Sequence, residues 1–382
     1  MAKTKIIRTS TVATSLNTFC RGLLRQLQQE EGMEVVAVAS PGKEMADMEQ
    51  REGIRTIGVE MERRMSPLKD LRSLWRLYRV FRRERPAMVH SITPKAGLLS
   101  MMAAWMARVP VRLHTFTGLV FPTATGLQRR ILMMTDRLTC ACATHIVPEG
   151  EGVKNDLINN GITRKPLQVL GHGNVRGIDL THYDPTLADV ESEAKKIRQS
   201  DRLTFVFVGR LVGDKGINEL IEAFSRLHEE RPFVRLLLVG RFEPTLDPLR
   251  PETEQTINNH PAIEAVGSQS DVRPWLAASD ILVFPSYREE FPNVVIEAGA
   301  MGLPSIVTDI NGSREIIREG ENGTIIPSRN ADALHDAMLR LTDSTDLRHQ
   351  LASNARSLIA SRYEQGYVRR SLIDYYRSIL PN

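Results

Sequence analysis

Short apolar runs alternate with longer amphipathic stretches along the whole chain, and this alternation limits the possible folds more than any other feature. "KIIRTS" (5–10), "EVVAVAS" (34–40), "AMVHSI" (87–92), "VRLHTF" (111–116) and "THIVP" (144–148) have the length and composition of strands. Stretches 17–30, 68–84 and 127–141, which fall between them, repeat their apolar residues at helical spacing. Strands buried on both faces read as continuous apolar runs, and helical crossovers make neighbouring strands parallel. The pattern predicts a doubly wound parallel sheet. Over 175–200 it lapses into polar sequence and then restarts with "LTFVFVGR" (203–210), "VRLLLVG" (234–240), "AIEAVG" (262–267), "ILVFPS" (281–286), "PSIVTD" (304–309) and "GTIIP" (323–327). Two α/β domains in series are expected. The first spans 1–175, a linker follows over 176–200, and the second spans 201–362. A last helix over 363–382 is expected to pack back toward the first domain. Open sheets of this kind bind ligands at the carboxyl ends of their strands.

At 382 residues the chain is long enough for two ordinary cores, and 42% apolar with 25% charged residues is a globular composition. No run of about 18 apolar residues is present, and the N-terminus lacks the apolar centre of a secretory signal. The expected location is therefore the cytoplasm. Cys20, Cys140 and Cys142 give neither a disulfide framework nor a paired metal knuckle. Charge is distributed unevenly. Residues 1–176 carry 27 basic against 15 acidic side chains, whereas 177–382 carry 23 against 31. A basic first half attracts anions, whether phosphates, nucleic acid or an anionic bilayer.

The segment "FVFVGRLVGDKGINELIEAF" (205–224) places Gly209, Arg210 and Lys215 in a glycine-rich loop between a strand and a helix that starts near Asn218. Glycines admit close backbone approach, and a helix N-terminus carries partial positive charge. The loop suits a diphosphate, and it equally suits a glycine turn with two solvated cations. It is neither a Walker A loop nor a GxGxxG fingerprint.

In "REEFPNVVIEAGAMGLPSIVTDINGSREII" (288–317), Glu289 lies in a loop before a helix that Pro292 opens, and Glu297 lies about a turn and a half inside it. The backbone N–H groups from Phe291 through Pro292 and Asn293 to Val294 border the space between the acids. Acids before a helix start complement its dipole. Glu297 sits among apolar neighbours and needs partners there. The pair reads as a ligand site.

These residues resemble the E-x7-E region of retaining family 4 glycosyltransferases, where "EGFPNVVLEAMACGLPVV" precedes a "GG..E" turn. Here Glu290 replaces the glycine, and "NGSRE" (311–315) keeps only Gly312. The "GRL...KG" loop fits as well, and the resemblance covers nearly all of 200–330. It implies the GT-B fold, an α/β architecture with two Rossmann-like domains facing across a cleft, and a UDP-sugar donor. Glu297 would hold the ribose and Glu289 would lie near the donor sugar. The amides of Phe291 to Val294 would contact sugar and phosphate. With no Asp-x-Asp motif to seat a metal, Arg210, Lys215 and the helix N-terminus would neutralise the diphosphate. Neither a metal nor another cofactor is expected.

The first domain would then carry the acceptor. Ser10 and Thr14 follow the first strand, where relatives usually have a glycine-rich loop, and His90 and Lys95 lie in and after the third expected strand. His114 and Thr117 fall in "RLHTFTGLVFPTATG" (112–126) as candidate catalytic residues, with Thr117 at the position where many relatives carry histidine. Each histidine reads equally as a packed core residue. "HTFTG" and "VLGHGNVRGIDL" (169–180) are similar to bacterial transferases that extend undecaprenyl-diphosphate-linked saccharides. That similarity implies a hexosyl- or N-acetylhexosaminyltransferase acting on a lipid-linked saccharide at the inner face of the cell membrane. The stretch 68–86 places Leu71, Leu74, Trp75, Tyr78 and Phe81 on one stripe among arginines. It reads as a helix on anionic lipid or as a core stripe with a solvated face. Two other functions compete: a GT-B-fold sugar-nucleotide epimerase, and a nucleic-acid-binding protein. The second lacks any recognisable nucleic-acid-binding motif.

Overall fold

A computed structural model describes residues 3–62, 66–245 and 247–380. The chain forms two compact units, Met1–Gly177 with Gly366–Asn382, and Ile178–Gln365.

The first unit contains strands β1 (Lys5–Val12), β2 (Glu34–Ser40), β3 (Arg55–Gly58), β4 (Met88–Ile92), β5 (Val111–Phe116) and β6 (His145–Pro148). They form one parallel sheet in the order β3-β2-β1-β4-β5-β6. The chain moves outward from β1 to β3, then returns to pair β4 on the other side of β1. The switch point therefore lies between β1 and β4. The short edge strand β3 gives almost no signal in the sequence, because "RTIG" is only partly buried. The stretch 17–30, expected as one amphipathic segment, falls in two helices, Ala13–Cys20 and Leu23–Gln29, broken where Gly22 takes φ +74°.

One face of this sheet is covered by helices Pro67–Glu84, Pro94–Met106 and Gly126–Cys142, packed side by side. The other is covered by the N-terminal helices together with Gln365–Ile379. Ile373 and Tyr376 of this last helix are buried. The Tyr376 hydroxyl lies 2.5 Å from Arg8 Nη1 and 2.5 Å from His90 Nδ1, and burial pushes its pKa up to about 12.

The second unit contains β7 (Leu203–Val208), β8 (Val234–Val239), β9 (Ile263–Gly267), β10 (Ile281–Phe284), β11 (Ser305–Thr308) and β12 (Gly323–Ile326). The parallel order is β12-β11-β10-β7-β8-β9, so its switch point lies between β7 and β10. The stretch 176–200, expected as a linker, contains the helix Ala188–Ile197. This helix joins the second unit because Val190 and Ala194 are buried there. The passage at Ile178 and that at Gln365 are tied together. Ile178 N–H donates to the Tyr363 carbonyl (2.8 Å), and Gln365 N–H donates to that of Ile178 (2.9 Å).

The expected stripe on 68–86 is divided. Of its residues Phe81 enters the core, beside Leu77 from outside the stripe, Leu74 and Tyr78 are half-buried, and Leu71 and Trp75 face outward. A helix beside a sheet buries only the arc that faces it, and this arc is centred on Ser73, Leu77 and Val80.

Candidate active site

In the second unit the loops after β7 and β10 are adjacent because those strands are neighbours. Val212 leads into a short 3₁₀ turn, Gly213–Lys215, and Gly216 (φ +71°) starts the helix Ile217–Glu230. A Cβ on Gly216 would lie 2.1 Å from the Pro285 carbonyl oxygen, so only glycine lets the two loops approach this closely. Tyr287 N–H donates to the Asp214 carbonyl (2.9 Å), and the Tyr287 hydroxyl bonds Glu219 (2.5 Å). Arg329 stacks over the Tyr287 ring at 4.6 Å.

This scaffold holds an ion pair between Lys215 Nζ and Glu289 Oε1, and Ser286 Oγ adds a hydrogen bond of 3.0 Å to the same oxygen. Both charged side chains are mostly buried, at 14% and 19% exposure. Phe291 packs edge-on against buried Tyr363, with ring centroids 5.6 Å apart. Pro292 caps the helix Asn293–Ala300, whose first turn contains Asn293 and Val294, and Glu297 lies half-buried further along it. A Cβ on Gly312 would lie 2.2 Å from the Glu290 carbonyl oxygen, so the "NGSRE" turn supports the loop that carries Glu289. Gly209 bonds the Val239 carbonyl (2.9 Å), and exposed Arg210 pairs with Glu243 (3.3 Å). The switch point thus combines cations, a helix N-terminus and fixed carboxylates. That set suits an anionic diphosphate joined to hydroxyl-rich groups.

At the switch point of the first unit the loops after β1 and β4 also meet. Thr11 N–H donates to Thr93 Oγ1 (3.2 Å), and the two hydroxyls lie 3.0 Å apart. Thr93 has φ +77°, a strained value for a β-branched residue, immediately before Pro94 opens a helix. Thr14 is exposed and Thr117 half-buried, while Lys95 pairs with Asp70 (2.7 Å).

Three expected site residues are enclosed. The Ser10 hydroxyl turns back to the Val12 carbonyl (2.5 Å), and the residue has no exposure. His90, 1% exposed, places its ring nitrogens 2.6 Å from Arg8 Nη1 and 2.7 Å from Thr115 Oγ1. It lines a cavity of about 30 Å³ with Arg8, Thr115 and Glu149, room for about one or two waters. Burial and the Arg8 cation push its pKa well below the usual histidine range.

His114 lies 2.8 Å from Ser91 Oγ and edge-on to Phe116, over Gly97, where a Cβ would strike its ring at 2.3 Å. Burial pushes its pKa down to about 3. This is the geometry of a neutral packing histidine, and a saccharide cannot reach it in this conformation. Between pH 6.5 and about 3 the unfolded chain takes a proton that native His114 refuses, so its contribution to stability is lost as pH falls through that window. The His114 ring nitrogens are expected to keep neutral-imidazole ¹⁵N shifts at pH 5, and protonated shifts there would refute the packing role.

Thr93, Tyr287, Glu219 and Ser286 are not among the site residues expected from the sequence. Only Thr93 carries a local signal, its place before proline at a strand end.

Tandem parallel α/β units of this topology have the GT-B architecture. The model for "Glycosyl transferases group 1" matches residues 189–358 and that for "Glycosyl transferase 4-like domain" matches 15–173. Between them the two models match most of the chain, a glycosyltransferase that is similar to group 1 members over its second unit. It is 29% identical to the capsular polysaccharide biosynthesis glycosyltransferase CapM of Staphylococcus aureus, over 100% of this chain and 98% of that protein. It is 28% identical to the Escherichia coli UDP-Gal:alpha-D-GlcNAc-diphosphoundecaprenol alpha-1,3-galactosyltransferase, over 79% of this chain and 78% of that one. The fold matches Anabaena HepE in complex with UDP at a TM-score of 0.80 and 17% identity, covering 99% and 100% of the two chains.

Proposed function

We propose that the protein transfers a hexose or N-acetylhexosamine from a UDP-sugar, with retention, to a lipid-linked saccharide in bacterial surface polysaccharide or glycan assembly. The Lys215–Glu289 pair carries this reading, because it fixes a cation and an acid together at the carboxyl edge where β7 and β10 meet. As the anomeric bond breaks, the electron pair passes to the departing diphosphate. Lys215, Arg210 and the N-terminus of the helix Asn293–Ala300 stabilise that charge. Glu289, held by Lys215 and Ser286, faces the donor sugar, and Glu297 accepts from the ribose. These groups supply the positive charge without a metal, and the unusual Glu290 borders the sugar. The acceptor approaches the Thr11–Thr93 edge of the first unit, near Thr14 and Thr117. The names of the E. coli and S. aureus relatives support a lipid-linked acceptor in polysaccharide assembly. The enzyme works peripherally on an anionic membrane face in the cytoplasm.

The test is a screen of UDP-sugars with a synthetic lipid-diphosphate saccharide, with and without EDTA. One UDP-sugar is expected to support transfer undiminished by EDTA, with product NMR showing retention; inversion or a strict metal requirement refutes the mechanism. UDP affinity of Glu297→Ala, measured by calorimetry, is expected to fall about tenfold. Unchanged affinity would remove the ribose role. Isomerised donor formed without acceptor would favour the epimerase reading.

A further inference from the structure

Helices Pro67–Glu84 and Gly126–Cys142 turn large apolar side chains outward. Leu68, Leu71 and Trp75 are 85%, 64% and 55% exposed, and Leu127, Met134 and Leu138 are 73%, 62% and 40% exposed. On each helix these residues recur at three-, four- or seven-residue intervals, so each set forms a stripe along one face. Both helices flank Pro94–Met106 on one face of the first sheet, where Trp105 adds a second outward tryptophan at 59% exposure. An enclosed core explains none of these positions, because the buried arcs of the same helices lie elsewhere, at Leu77 and Phe81 and at Thr139 and Cys140.

Cations border the stripes. Arg72, Arg79, Arg82 and Arg130 are exposed and form no ion pair among the described residues, whereas nearby Lys69 and Arg76 are neutralised by Glu62 and Glu60. Exposed tryptophan and leucine beside unneutralised arginine match the interface of an anionic bilayer, in which the rings enter the headgroup layer and the guanidinium groups meet phosphates. A partner that is only polyanionic leaves the apolar stripe unexplained. A purely apolar partner leaves the arginines unexplained.

Orientation follows from topology. A crossover helix runs antiparallel to its strands, so the N-terminal turns with Leu68, Leu71 and Leu127 lie toward the carboxyl edge of the sheet. This is the edge that carries Thr11 and Thr93.

We propose that the outward faces of helices Pro67–Glu84 and Gly126–Cys142 form the seat of the protein on an anionic phospholipid bilayer, turning the Thr11–Thr93 edge toward lipid-borne acceptor. The assignment rests on the membrane reading given under the proposed function, and it specifies the surface.

The experiment is flotation of the full-length protein with phosphatidylcholine vesicles, with or without phosphatidylglycerol, alongside transfer to a water-soluble short-chain acceptor. The intact protein is expected to float only with phosphatidylglycerol vesicles and to be released by salt. Leu71→Ser with Trp75→Ser is expected to lower partitioning about tenfold or more, and Arg72→Glu with Arg79→Glu about fivefold per arginine. Phe233→Ser, an exposed apolar residue of the second unit, is expected to change nothing. Transfer to the soluble acceptor should be equal in all variants. If the wild type lacks that transfer, the proposed function fails while flotation still judges the surface. The seat is overturned by no flotation on phosphatidylglycerol, by flotation undiminished in both double variants, or by a patch-dependent dimer in light scattering without vesicle binding.

Discussion

Lys215→Ala is expected to lower kcat/KM for the UDP-sugar by about 100- to 1000-fold, the usual loss when a fixed group stabilising transition-state charge is removed. Lys215 is held in place by Glu289, so the cation is organised before the donor arrives and needs little rearrangement as charge develops. Its removal also leaves the Ser286 hydroxyl to hold Glu289 Oε1. The two side chains keep some contact with water, at 14% and 19% exposure, so the stability cost is well below that of a fully buried pair, about 1–2 kcal/mol. A double-mutant cycle separates the effects. Lys215→Ala with Glu289→Ala should melt higher than the summed single losses imply, because the pair is lost once. Steady-state kinetics and thermal melts check both parts, and full activity in Lys215→Ala would remove the diphosphate role.

Gly216→Ala carries the second large effect. Gly216 has φ +71°, and an added Cβ would lie 2.1 Å from the Pro285 backbone oxygen, which no side-chain rotation relieves. The β7 and β10 loops must separate, weakening the Tyr287–Asp214 hydrogen bond and the Lys215–Glu289 geometry together. The expected result is destabilisation by about 2–4 kcal/mol and UDP affinity lower by about tenfold or more. Gly302→Ala is the control. That glycine has φ +85° and nothing within 4 Å of an added Cβ, so it reports backbone strain alone, about 1 kcal/mol. Denaturant unfolding and UDP calorimetry on both variants isolate the contact. Equal losses would show that loop separation contributes nothing.

Much of this site is legible in the sequence, for a local reason. Glu289, Pro292 and Glu297 belong to one strand–loop–helix unit, so their spacing already implies a loop acid, a helix start and an acid inside the helix. The glycine loop after β7 is equally local. Their union is not local. Lys215 and Glu289 are 74 residues apart and meet only because β10 returns to pair β7. Tyr287 and Glu219 are joined by the same return.

The histidines show the opposite limit. Each sits on an apolar strand, where residues alternate between faces, but both faces of these sheets are covered. Alternation therefore cannot tell a histidine aimed at a ligand from one aimed at a neighbour. His114 is enclosed because Gly97 lets its helix press against the ring, and His90 because Arg8 and Tyr376 close over it. Tyr376 is 286 residues from His90 in the chain.

By itself, then, the sequence determined two parallel α/β units and the residue types of the loops after β7 and β10, since strand burial, helix starts and glycine turns are written in neighbouring residues. The tertiary structure alone decided which cation meets which acid, which polar groups are sealed inside and which apolar residues remain on the surface. Those outcomes depend on strand order and helix packing, which bring together groups that the chain keeps far apart.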